Sequence, residues 1–452
     1  MKAEPQGRSI RQVTTDEGDG WGRAFAGLYG LFLALSLLKF GNPVVLDHLI
    51  EVPRNLEEWR VFAWPVRFGW MGFGCVAAIG CMVLLRNWSR PEPLWVGFFG
   101  IGWLVWQFLA LPTSVAPGVS NGVVIHFTIC LGCFLLGWMA LGRVTESRVF
   151  WLCLVLGFCG VLGVAGDQRF GGLEATRKMI LENNAGAPMS PEYLARIQSN
   201  RVFGTLVYPN ALAGVILLLL PCSSFLVRDF CLRWGRQKAH LLTGCWLLLG
   251  LSVLVWSGSK AGWLLVMMMM MVVLFHLELS RRLRLLLAAT VVVSGLAAFG
   301  YLYAEKLRKG PTSVVARVEY WKAAVQGFRA HPWLGLGPGG FKSYYSKVKP
   351  ADAEMAQLAH NDFLQQAADS GIPGFVGYLV FIVGSLAWLY RQRNKLDWFS
   401  QWVGLGVAGW FVQGLVEFGL YIPAASWCAF TLLGWLLAQR PSTSGGGSVA
   451  FR

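Results

Sequence analysis

The chain is built from blocks of uninterrupted apolar residues separated by short polar segments. Each block is about 17–25 residues long, the length that spans the hydrocarbon core of a bilayer. A backbone in lipid must satisfy its own hydrogen bonds, so such blocks fold as helices. A membrane β-barrel would show short segments of alternating hydrophobicity instead. Of the 452 residues, 55% are hydrophobic and 14% charged, a balance foreign to soluble domains of this size. The sequence therefore predicts an all-α, polytopic bundle of transmembrane helices. About twelve spans are expected, at 24–41, 66–85, 94–111, 122–141, 149–166, 207–227, 241–257, 262–279, 285–304, 373–390, 399–419 and 421–438. They form one transmembrane domain, 24–438, between a polar tail (1–23) and a flexible Ser- and Gly-rich tail (439–452). No small-residue cleavage site follows the run that begins at Ala24, so that run reads as the first anchor and not as a signal peptide.

Basic residues set the orientation. With a cytoplasmic N-terminus, roughly half of the 39 Lys and Arg fall on the cytoplasmic side, in segments such as Arg228 to Lys238, Arg281 to Arg284 and Arg391 to Lys395. The short loops 112–121 and 420–423, on the opposite side, hold none. The C-terminus is then cytoplasmic too. The net charge of +15 is mostly this orientation signal. The charges alternate with spans and form no single basic domain, so no nucleic-acid partner is expected.

The same topology turns two long polar loops outward, 167–206 and 305–372, the second between spans nine and ten. Long loops in compact proteins tend to be functional. In the second, Val314, Val318, Trp321, Val325 and Phe328 recur at helical spacing, which predicts an amphipathic helix on the outer leaflet, ended by His331-Pro332. A second helix, about 351–370, is expected to carry His360 and to stop at Gly371-Ile372-Pro373.

Chemistry-bearing residues gather in the outer segments. Arg201, just before the sixth span and followed by Gly204-Thr205 and Pro209-Asn210, either snorkels to the interface or holds an anionic headgroup or phosphate. Lys260, in the turn Ser257-Gly258-Ser259-Lys260-Ala261-Gly262, is a lone cation in an otherwise neutral outer loop, contrary to the orientation rule. Arg317 and Trp321 sit one turn apart, as interfacial residues or as part of a site. His360, in Ala359-His360-Asn361-Asp362, is either a satisfied surface histidine or an acid–base imidazole. Gly335 to Gly340 lacks a phosphate-loop lysine and a preceding strand, so it reads as a structural turn and not as a nucleotide site. The six histidines share no metal-ligand spacing, and Cys130 and Cys133 form a solitary CxxC inside an apolar helix, so no metal site is expected. The run Met267 to Met271 reads as packing or lipid contact.

Taken in order, these elements resemble the O-antigen ligase and O-antigen polymerase superfamily of bacterial envelope enzymes. The resemblance rests on Arg201, Gly204-Thr205, Asn210, the Ser-Gly-Ser-Lys-Ala-Gly turn, Arg317 with Trp321, His331-Pro332-Trp333-Leu334-Gly335-Leu336-Gly337, and Ala359-His360-Asn361-Asp362. It implies a glycosyltransferase of the inner membrane with its site on the periplasmic face. The donor would be a glycan on undecaprenyl pyrophosphate. The acceptor would be a hydroxyl on lipid A-core, on a growing glycan or on a protein. Carried over, Arg201 and Arg317 become pyrophosphate ligands, with Lys260 where the family usually has arginine. Lysine keeps the charge but loses the bidentate fork. His360 becomes the general base, with Asn210, Trp321, Asn361 and Asp362 in supporting places. An inverting single displacement of this kind needs no metal and no other cofactor. A lipid or glycan transporter is the competing class; it would favour internal repeats, broken helices and mid-span charges.

Overall fold

In the computed structural model the described residues are 20–86, 91–183, 197–308, 312–351 and 353–439. Nearly all of both expected tails lies outside them. Every regular element among the described residues is a helix. The apolar blocks form α1 (Gly20–Lys39), α2 (Val66–Arg86), α3 (Leu94–Ala110), α4 (Pro117–Leu135) and α5 (Arg148–Asp167). After a short α6 (Leu173–Asn183) come α7 (Pro209–Cys231), α8 (Arg236–Ser257), α9 (Lys260–His276) and α10 (Arg281–Arg308). Two further helices, α11 (Thr312–Ala330) and α12 (Phe341–Val348), precede α13 (Asp362–Leu379), α14 (Ser385–Gln392), α15 (Trp398–Gln413) and α16 (Pro423–Ala438).

Each of the twelve apolar blocks overlaps one or more of these helices, with ends that differ by several residues in places. Nine of the described helices are long and apolar enough to cross a membrane. The blocks at α9, α15 and α16 are only 16 or 17 residues long. At 1.5 Å per residue they reach about 25 Å, short of a core of about 30 Å. The expectation of twelve spans thus exceeds what helix length supports by these three.

The bundle is centred on α16, whose residues from Pro423 to Leu437 are all buried. A helix apolar on every side belongs in the interior. It packs along α4, where a side chain at Gly434 would collide with the Phe134 carbonyl oxygen. Small residues at such crossings bring two backbones together. Around this axis α1 packs on α5, and α7 lies between α8 and α15. Helix α10 is peripheral, with only 6% of its apolar window buried.

Residues 312–361 form a cap with a core of its own, including Tyr320, Ala323, Ala324, Leu336, Phe341, Tyr345 and Ala359. The turn after His331 is tied down by backbone bonds, Leu336 N–H to Ala368 at 2.8 Å and Val115 N–H to Leu336 at 2.9 Å. It is a structural turn, as its sequence suggests. Helix α11 forms where periodicity places it, but its small-residue face is the one buried. Val314 and Val318 are exposed, and Trp321, Val325 and Phe328 are half-buried.

Three boundaries differ from expectation. His360 does not lie on a helix: the chain from 353 to 361 is irregular, and α13 starts at Asp362. The Asn361 side chain caps α13 by accepting from Leu364 N–H at 3.0 Å. Asp362 N–H turns outward instead, to the Gly414 carbonyl at 2.7 Å. Nor does that helix stop at Gly371; it kinks there, at φ 65° and ψ −165°, and runs on. Lastly, α15 ends at Gln413, so residues 414–422 form a turn where sequence placed the end of a span.

Candidate functional site

The segment that carries Arg201 is fixed from three sides before it enters α7. Gln168 accepts from the N–H groups of Phe203 at 3.0 Å and Gly204 at 2.8 Å, and donates to the Gly204 carbonyl at 3.0 Å. Thr205 Oγ1 donates to the Leu37 carbonyl at 2.6 Å. Val202 N–H donates to the Trp256 carbonyl at 3.2 Å. So held, Arg201 lies along Gly258. Its Nε donates to the Ser257 carbonyl at 2.7 Å and its Nη2 to Asn210 Oδ1 at 2.7 Å. Gly258 sits at φ 61°, and a Cβ there would stand 3.2 Å from Arg201 Nε. The turn therefore needs glycine both for its backbone and for the arginine above it.

From Arg201 the polar chain continues through Asn210. Asn210 Nδ2 donates to Glu417 Oε1 at 2.6 Å, and the same oxygen takes the Arg317 guanidinium. Gln413 Nε2 donates to the Asn210 carbonyl at 2.9 Å, which fixes that residue from behind. Arg317 comes from α11, Asn210 from the first turn of α7 and Glu417 from the turn after α15, so the cap and the bundle meet at one carboxylate. Glu417 is buried, with 8% of its side chain exposed. Burial pushes its carboxyl up to about 7, against the pull of Arg317, Arg201 and Asn210.

His360 stands beside this chain. Its backbone is left-handed, at φ 53°, a conformation that histidine visits more readily than branched residues and that clusters at functional sites. The ring sits between Tyr320, with centroids 5.4 Å apart, and the edge of Phe418, at 4.7 Å. Tyr320 is one turn from Arg317 on α11, and Phe418 follows Glu417, so the imidazole touches the neighbours of both members of the ion pair. Its Nδ1 is 3.0 Å from the Leu358 carbonyl. A carbonyl can only accept, so Nδ1 carries the hydrogen and the basic nitrogen of the neutral ring is Nε2.

The remaining expected residues divide. Lys260 opens α9 just after Ser259, whose hydroxyl caps the helix by accepting from Gly262 N–H at 3.2 Å. Arg201 lies along the Gly258 turn that leads into this helix, whose N-terminal dipole favours anions. Asn361 is occupied as a helix cap. Asp362 is buried, and its Oδ2 accepts from Leu420 N–H at 3.1 Å, so it ties α13 to the same 414–422 turn that presents Glu417. Trp321 is half-buried, its indole N–H lacks a hydrogen-bond partner among the described residues, and no described bond joins it to the arginine chain. Glu417 is the member that sequence reading missed. Its signal was present: it is the only acidic residue after Asp397, and it sat inside an expected span, where a charge marks function.

Two half-buried arginines thus meet at one carboxylate, Arg317 directly and Arg201 through Asn210, beside an imidazole of fixed tautomer. A search of curated proteins finds no match to the chain. Residues 245–379 match the family model described as O-Antigen ligase, a stretch that holds Lys260, Arg317, Trp321, His360, Asn361 and Asp362, while Arg201, Asn210 and Glu417 come to it through the fold. Over those residues the chain is similar to the O-antigen ligase family.

Proposed function

We propose that this protein transfers a glycan from undecaprenyl pyrophosphate to an acceptor hydroxyl, lipid A-core by preference, at the outer face of the bacterial inner membrane. The observation that carries this reading is the Arg201–Asn210–Glu417–Arg317 chain beside His360. Arg201, Arg317 and Lys260 bind the pyrophosphate and stabilise the charge that grows on it as it leaves. His360 Nε2 takes the proton of the acceptor hydroxyl while that oxygen attacks the anomeric carbon. One carbon–oxygen bond forms, the bond to pyrophosphate breaks with inversion, and the carrier leaves as undecaprenyl pyrophosphate. Glu417 holds Arg317 in place before the donor arrives, the position an anionic oxygen takes over.

The acceptor decides between ligase, polymerase and protein oligosaccharyltransferase. Purified protein is incubated with lipid-linked glycan and, separately, with lipid A-core, free glycan chain or acceptor protein. The reading expects transfer to lipid A-core with release of undecaprenyl pyrophosphate. Transfer to the growing chain alone makes the protein a polymerase, and no release with any acceptor removes the transferase reading.

A further inference from the structure

The end of the bundle away from the arginine chain holds a second basic site. Helix α9 runs from Lys260, at the candidate site, to His276, and α15 runs from Trp398 up to Gln413, beside Asn210. Their far ends are about 25 Å away at 1.5 Å per residue. There an apolar cleft of about 200 Å³ opens, with walls that include Val272, Leu386, Leu389, Leu405 and Leu436. Arg393 stands at it. Its guanidinium lies 4.2 Å from the centre of the Tyr390 ring, and its Nη1 donates to the Tyr390 carbonyl at 3.0 Å. Its Nε is buried and has no hydrogen-bond partner among the described residues. Arg391 and Lys395 flank it, and Arg281, Arg282 and Arg284 follow closely on His276, whereas the nearby acids in sequence are Glu278 and Asp397. Asp397 is engaged as a helix cap, accepting from Ser400 N–H at 2.8 Å.

Arg393 on the lining of the cleft, with further basic residues close by in sequence, offers an anion a charged partner. Hydrocarbon walls ask for an apolar chain attached to that anion. We propose that this cleft binds an anionic phospholipid, its phosphate on Arg393 and a stretch of acyl chain against the leucines. The positive-inside rule puts this end in the cytoplasmic leaflet, where a basic rim selects for anionic headgroups. The site is independent of the transferase chemistry.

The test is native mass spectrometry of the full-length protein, delipidated and titrated with phosphatidylglycerol or phosphatidylcholine. The wild type should take up one phosphatidylglycerol with roughly tenfold preference. Arg393→Gln should lose the preference. Gly404→Leu should lose the bound lipid by filling the cleft; a Cβ at Gly404 meets nothing nearer than Leu436 at 4.0 Å, so this variant should fold. Equal uptake of the two lipids by the wild type overturns the proposal. So does a preference that survives in either variant: survival in Gly404→Leu puts the lipid on the open basic surface, and survival in Arg393→Gln removes the headgroup contact. Thermal melting confirms that both variants are folded before titration.

Discussion

Arg317 and Glu417, 100 residues apart in sequence, form an ion pair that joins the cap to the helix bundle. Glu417 is buried and Arg317 half-buried, with 8% and 20% of the side chains exposed, and Asn210 shares the same carboxylate oxygen. The seating of the cap on the bundle therefore depends on that one carboxylate.

That group should make stability depend on pH. Burial raises the Glu417 carboxyl to about 7, so its ionisation costs the folded state free energy. The contribution is fully present below the ordinary carboxylate range and is lost as pH rises through about 7. Glu417→Gln cannot ionise. Melting temperatures taken between pH 5 and 8 should fall for the wild type relative to Glu417→Gln, by on the order of a few degrees. Parallel curves would mean that Glu417 titrates normally.

Arg201→Ala and Arg317→Ala should each weaken donor binding. Loss of a charge-assisted contact costs about 1.5–3 kcal/mol, roughly tenfold or more in affinity. Arg→Lys should restore only part, because lysine lacks the planar fork. Isothermal titration with the lipid-linked donor reads this directly. Wild-type affinity in both alanine variants would move the pyrophosphate clamp elsewhere.

Gly258→Ala tests the turn beneath Arg201. A side chain at φ 61° that also presses on Arg201 should cost about 1–3 kcal/mol in stability and lower donor affinity. Gly244→Ala, on α8 with nothing within 4 Å of its Cβ, is the control and should be neutral or slightly stabilising. Equal melting temperatures and affinities for the two variants would show that the turn does not position the arginine.

Sidedness follows from the basic residues and is open to labelling. In a background without cysteine, a cysteine at Arg236 or Arg393 should resist an impermeant thiol reagent, and one at Lys349 should react. Gly186, which the same reasoning turns outward, lies outside the described residues. Reaction at the first two positions reverses the orientation.

Much of the helical framework was legible because hydrophobic blocks report burial in lipid regardless of what they pack against. Helix α11 was legible from its spacing, yet the face it buries was not. Alanine and glycine at 323, 324 and 327 carry little hydropathy but permit close packing, so the stronger apolar stripe misled. The start of α13 was hidden because its cap, Asn361, follows a run of strong helix formers, Ala353 to Ala359. His360, Arg201 and Arg317 were visible as motif residues. Glu417 was not, because it lies in an apolar stretch and finds its partners at a distance of 100 and more residues. Long-range pairing of that kind leaves no periodic trace.

A comparison of two histidine variants decides whether His360 is the base beside the arginine chain. Purified wild-type, His360→Ala and His331→Ala proteins are given radiolabelled lipid-linked glycan with acceptor, and the release of undecaprenyl pyrophosphate is followed alongside donor binding. Release is expected from the wild type and from His331→Ala, whose histidine lies exposed in the turn after α11. His360→Ala should bind donor as the wild type does and release essentially none. Wild-type turnover by His360→Ala, or silence of His331→Ala with an active His360→Ala, would contradict that role.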